Sequence, residues 1–151
     1  MNKWDQNDPP GALRFERRID STSTAVSVLL CDLRNELQAA NHRAGSSDTW
    51  EIVLAEAINN VVEHAYMEHA GHPVALKLVF SPVLLTAEMT DWGLPMPNLT
   101  LPEGAAPEIG ETAEDQPEGG FGWHLIKALT EQLEYKRQDS TNKLLFSVKI
   151  D

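Results

Sequence analysis

A single cysteine, Cys31, leaves the chain unable to form an internal disulfide, and its place among Val28, Leu29, Leu30 and Leu33 predicts a buried thiol in a reducing compartment. Long apolar runs are missing as well. None approaches the roughly 18 residues of a membrane span, and the polar start MNKWDQNDPPG lacks the apolar stretch of a secretion signal. Bases are scarce: 12 Lys and Arg stand against 23 Asp and Glu, a formal net charge of −11, and a surface of that sign repels a phosphate backbone. These shortages exclude a disulfide scaffold and a membrane-spanning helix, argue against direct nucleic-acid contact, and point to the cytoplasm. A basic partner, or one that docks through apolar contacts, remains compatible with the charge. Zinc and serine-hydrolase signatures are absent too: His64 and His69 are five residues apart, not four, and no GxSxG occurs.

What is present is a globular composition, 42% hydrophobic with four Trp, in 151 residues, enough for one domain with a sizeable core. Residues 1–11 read as a flexible leader and 12–151 as the domain. Leu13, Phe15 and Ile19 keep to odd positions between charges, the period of a half-buried strand. Ser21 to Thr24 offers N-cap oxygens to a helix carrying Val26, Leu29, Leu30, Leu33 and Leu37, which closes near Asn41 to Gly45. A second helix runs toward Gly71, with Asp48 as N-cap, Glu51 as the returning acid of a capping box, and an apolar face of Trp50, Val53, Leu54, Ala57, Ile58, Val61 and Ala65. VALKLVFS and VLLTAEMTD read as a hairpin. Residues 94–118 hold five Pro and little periodicity, as a functional lid or loop does. A third helix follows, with Leu125, Ile126, Leu129 and Leu133 on one face, and two strands close the chain. The order predicts an α/β two-layer sandwich, a mixed β-sheet covered on one face by helices.

Three separated features invite a common chemistry. Glu56 and Asn60, four residues apart, put two oxygen ligands on one helical face, which suits a hard cation that also binds phosphate; a solvated polar face has the same pattern. Asp91-Trp92-Gly93 ends a strand with an acceptor-only carboxylate, which serves a plain turn or an exocyclic amine such as that of adenine. Gly119-Gly120-Phe121-Gly122 opens a helix, where free N–H groups and the helix dipole favour an anion, phosphate above all, unless the glycines only close a loop.

In this order and spacing, EAINNVVEHAY, DWGLP and GGFGWHLI resemble the N box and the two glycine boxes of the GHKL superfamily of gyrase, Hsp90, histidine kinases and MutL. They are most similar to the small anti-sigma-factor serine kinases of bacteria, the RsbW and SpoIIAB type, over about residues 12–150. The resemblance implies a Bergerat-type ATP-binding fold using ATP and Mg²⁺. It implies Glu56 as catalytic base, Asn60 as Mg²⁺ ligand, Asp91 as the reader of the adenine amino group, and Gly93 as the residue leaving room for the base. Gly120 and Gly122 would turn their N–H groups to the phosphates, while His64 would pack or hydrogen-bond locally. Implied partners are a STAS-domain anti-anti-sigma factor phosphorylated on serine, a sigma factor held inactive, and a second copy of the chain through the first strand and helix.

The sequence departs from that pattern in two places. Pro95 stands where the first glycine box often has a second glycine, so the exit should be stiffer. Glu118 and Phe121 stand where relatives often place a base, so triphosphate binding would lean on the metal, the helix N-terminus and Lys127. Two functions therefore remain open: a protein serine/threonine kinase that switches partners, and a non-catalytic nucleotide-binding regulator that sequesters a partner. Glu56 favours the first; the acidic lid and Pro95 favour the second.

Overall fold

The computed structural model describes residues 8–102 and 120–151. Most of the expected leader, and the expected lid beyond residue 102, lie outside the described residues. The elements run β1 (Leu13–Asp20), α1 (Ser23–Ala39), α2 (Thr49–Asn60), β2 (Pro73–Phe80), β3 (Leu84–Asp91), α3 (Gly120–Leu129), β4 (Gln132–Gln138) and β5 (Thr141–Lys149), the order the periodicity indicates. They form one five-stranded sheet ordered β1-β2-β3-β5-β4. One face of it meets the helices through Phe15, Leu76, Leu78, Phe80, Leu85, Met89 and Phe146.

The α/β layering is as expected, but the sheet is antiparallel at every adjacent pair rather than mixed. Connectivity explains it. Two successive helices separate β1 from β2, and an even number of helices returns the chain to the end it left, so the next strand runs back. The single helix α3 does make β4 parallel to β3, yet the β4–β5 hairpin places β5 between them. Among the described residues no helix is long and apolar enough to cross a membrane.

Thr22 caps α1, its side chain accepting from Ala25 N at 3.1 Å, and Asn41 ends the helix region with a left-handed φ of 57°. The buried row is Val26, Leu29, Leu33 and Leu37. Cys31, expected to be buried, is exposed. At about 100° per residue it sits far around the helix from the buried Leu29 and Leu33, on the side of Val28, which is itself exposed. The capping box expected for α2 does not form: the Asp48 side chain makes no cap bond. Arg34 takes its partner. Its guanidinium donates to Glu51 Oε2 from Nε at 3.0 Å and from Nη2, and also to Gly45 O (3.0 Å) and Ser47 O (2.9 Å). Two charge-assisted bonds to one carboxylate outweigh a single backbone N–H. The same Arg34 lies over Trp50, a fully buried ring whose Nε1 donates to Ala44 O at 2.8 Å and which meets Phe80 edge to face.

The second helix stops being α-helical earlier than its pattern suggests. After Asn60 the chain widens into a π turn over Val61–Ala65, and Tyr66 N donates five residues back to Val61 O at 3.0 Å. Tyr66 is thereby turned inward, where its hydroxyl donates to Pro73 O (2.6 Å) and accepts from Trp92 N (2.8 Å). In α3 the buried residues include Trp123 and Ile126, while Leu133, expected on the same helical face, belongs to β4.

Candidate functional site

The antiparallel path brings four termini to one end of the sheet: the ends of α2 and β3 and the starts of α3 and β5. Between them opens a cleft of about 540 Å³, walled by Ala57, Asn60 and Val61 from α2 and its π turn, Trp123 from α3, and Leu94 to Pro97 from the loop after β3. Most of the wall is apolar, and polar groups enter at a few points, the form that ligand sites commonly take.

Asp91 sits on the floor. It continues the core-facing row Leu85, Ala87, Met89 of β3 and is only 4% exposed. Its partners among the described residues both reach Oδ1: Gly93 N at 2.9 Å and Asn142 Nδ2 at 2.8 Å. Neither takes Oδ2, and Asp91 lines the cleft. Burial pushes the Asp91 carboxyl above the usual aspartate range, against the opposing pull of Asn142, Gly93 and Arg137.

Gly93 is required, though for a reason the sequence does not reveal. A Cβ there would fall 2.5 Å from Ala65 O and 2.7 Å from Ala65 C, inside the backbone at the end of the π turn. The space next to Gly93 is therefore taken by this chain, and Leu94 N donates to the same Ala65 O at 2.9 Å. Pro95 lines the cleft in a loop held on both sides, since Leu94 O accepts from Asn142 Nδ2 (2.8 Å) and Met96 N donates to Tyr135 Oη (3.0 Å).

On the α2 wall, Asn60 is 8% exposed, so it does not belong to a solvated polar face. Its Nδ2 is buried with no hydrogen-bond partner among the described residues. One turn earlier stands Glu56, half-buried, its carboxyl raised above the usual glutamate range first by burial and then by the charge of Glu63. Gly122, in the first turn of α3, closes the group: a Cβ on it would meet Glu56 Oε2 at 2.7 Å and Asn60 Nδ2 at 3.8 Å. Gly120 is the first residue of that helix, whose opening N–H groups have no intrahelical acceptor. Glu56, Asn60 and Gly122 are thus brought together, and Asn60 and Asp91 line the same cleft, with Gly93 packed behind it against Ala65. Lys127 is not. It is exposed in the last turn of α3, about 8 Å along the axis from Gly122. Gly119 lies outside the described residues. His64 is on the cleft wall, largely exposed, 3.8 Å from Glu63.

Sequence reasoning gave no role to Asn142, in a turn only loosely like the third box of the resembled family, nor to Tyr135, Arg137 and Tyr66. A signal existed for the first: Asn142 opens the row Asn142, Leu144, Phe146, Val148, so it is a polar residue in a core-facing register. Arg137 and Tyr135 share one face of β4 by the same alternation.

Over residues 17–148 the chain matches the histidine kinase-like ATPase domain, and it belongs to that family, whose members use ATP. Among curated proteins it is similar to the serine-protein kinase RsbW of Bacillus mycoides (strain KBAB4), 23% identical over 135 residues that cover 87% of this chain and 82% of the relative. RsbW proteins of Bacillus thuringiensis (strain Al Hakam) and Bacillus cereus (strain AH187) are 22% identical over 133 residues, with the same coverage. The resemblance drawn from three short motifs holds along nearly the whole chain.

Proposed function

We propose that the chain is an ATP-dependent protein serine kinase that acts as an anti-sigma factor, phosphorylating a serine of a STAS-domain partner and otherwise sequestering a sigma factor. The observation that carries the reading is the convergence of Glu56, Asn60 and Gly122 at one side of a cleft whose floor is Asp91. Asp91 Oδ2 accepts the adenine amino group, and Gly120 and Gly122 offer N–H groups to the phosphates. Glu56 takes the proton of the attacking serine hydroxyl. A bond forms between that oxygen and the γ-phosphorus, the bond from the γ-phosphorus to its bridging oxygen breaks, and ADP leaves. A carboxylate raised toward neutrality suits a general base better than an ordinary glutamate. The residues also fit Mg²⁺. Asn60 can offer its amide oxygen to the ion, while its buried Nδ2, which has no partner among the described residues, is left to donate to a phosphate oxygen. One oxygen from Asn60, with phosphate and water oxygens completing the shell, is the sparse protein contribution typical of Mg²⁺ bound with phosphates. When bound, the ion neutralises phosphate charge. Lys127 has no part in this reading.

The same reading includes a homodimer through β1 and α1; β1 is an edge strand, and Val28 on α1 is 54% exposed. The test is incubation with labelled ATP, Mg²⁺ and a STAS protein encoded beside the gene. Label should appear on a serine, and Glu56→Ala should abolish it while ATP still binds. Tight STAS binding without transfer by the unaltered chain would instead establish the non-catalytic sequestering regulator.

A further inference from the structure

Asp91, Asn142 and Arg137 are cross-strand neighbours in one row: Asp91 pairs with Asn142 across β3 and β5, and Asn142 with Arg137 across β5 and β4. The Asn142 amide is 5% exposed and uses its full hydrogen-bonding capacity. Nδ2 donates to Asp91 Oδ1 and to Leu94 O, both at 2.8 Å. Oδ1 accepts from Tyr135 Oη at 2.6 Å and from Arg137 Nη1 at 3.1 Å. Arginine can only donate, so it must face the amide oxygen, and a flipped amide would set N–H against N–H. The orientation is therefore dictated by β4. The same Arg137 Nη1 holds Gly93 O at 2.7 Å, and Tyr135 Oη receives Met96 N at 3.0 Å. Three side chains of the β4–β5 hairpin thus pin both Asp91 and the loop wall from Gly93 to Met96.

Resting on the nucleotide reading above, we infer that Asn142, oriented by Tyr135 and Arg137, is a positioning residue that sets base selectivity in the cleft. It fills Asp91 Oδ1 with a donor and leaves Oδ2 as an acceptor. A purine with an amino group at C6 is taken, and one with a keto oxygen there is refused. An aspartate at position 142 would remove the donor and set two carboxyls side by side; such pairs share a proton, and a shared proton can be given to a keto oxygen.

The experiment titrates ATP and ITP, which differ in the C6 substituent and in the proton that ITP carries on N1, against the full chain, Asn142→Asp and Tyr135→Phe, with thermal unfolding of each in parallel. The unaltered chain should prefer ATP by about tenfold or more, the scale of leaving one polar group unpaired. In Asn142→Asp, ATP affinity should fall about tenfold and the ATP:ITP ratio approach one. Tyr135→Phe, which keeps Asn142 but frees one end of its amide, should move the ratio in the same direction by about threefold. A general loss of folding would weaken both nucleotides equally and leave the ratio alone. If Asn142→Asp does not fold, Tyr135→Phe decides. Variants that fold and keep the original ratio overturn this inference while ATP binding by the unaltered chain leaves the nucleotide reading standing. No binding of either nucleotide by the unaltered chain removes both.

Discussion

Gly122→Ala separates folding from chemistry at a single atom. Gly122 has an ordinary helical backbone in the first turn of α3, so an added methyl faces no backbone penalty. Alanine is favoured over glycine within helices by about 1 kcal/mol. Against that, the new Cβ would lie 2.7 Å from Glu56 Oε2, well inside the ~3.5 Å at which non-bonded heavy atoms rest. The obstacle is the end of a flexible side chain, and turning it aside costs about 0.5–1.5 kcal/mol. The two effects nearly cancel, so the unfolding midpoint should move by no more than about 4 °C. The carboxylate, however, must retreat by nearly 1 Å from the place it shares with Asn60. A displacement of that size costs about a hundredfold in a positioned reaction. Measured as label transferred from ATP to the partner serine, kcat should fall about a hundredfold, with ATP affinity within about threefold of the original. A variant that transfers phosphate at the original rate would refute the placement of Glu56 as base.

Three further outcomes follow from the same geometry. Because burial and the Glu63 charge hold the Glu56 carboxyl above its usual range, transfer should fail as pH drops through a value higher than an ordinary glutamate's, and Glu63→Gln should move that midpoint to lower pH in a pH–rate profile. Asp91→Asn should weaken ATP binding about 10- to 100-fold, because the position left for the ligand can present a donor where the amine needs an acceptor. The folded Asp91 carboxyl holds its proton more readily than the unfolded one. Charging it therefore destabilises the fold above the folded value and not below the ordinary aspartate range near 4, so the variant should match or exceed the original in thermal unfolding at neutral pH and lose that advantage in acid. Asn60→Leu removes a buried amide nitrogen with no partner among the described residues and should leave stability unchanged or raise it by about 1 kcal/mol, while nucleotide binding in the presence of Mg²⁺ falls; a clear loss of stability would mean that this nitrogen is satisfied in the folded chain.

Much of the molecule is legible in the order of its residues. The period-two and helical runs locate all eight elements, because each depends on which side of one strand or helix is apolar, and that information is local. Glu56, Asn60, Asp91, Gly93, Gly120 and Gly122 are equally accessible as residue types at telling places. Local patterns mislead where a neighbour distant in sequence decides the outcome. Arg34 draws Glu51 out of its capping box across 17 residues, and a π turn ends the regular α2 at Asn60. Cys31 is the complementary case, in which apolar neighbours along the chain bring no burial because the buried ones, Leu29 and Leu33, lie on the opposite side of the helix.

The sequence alone determined the order of the elements and the chemical groups available to a site. Only the tertiary structure decided that the sheet is antiparallel, since strand direction depends on how many helices intervene and which strands become neighbours. That same path delivers the ends of α2 and β3 and the starts of α3 and β5 to one place. Gly93 is glycine because Ala65 lies against it, Gly122 because Glu56 does, and one oxygen of Asp91 is held by Asn142. These contacts join residues 28 to 66 positions apart and are set by packing, and no local pattern encodes them.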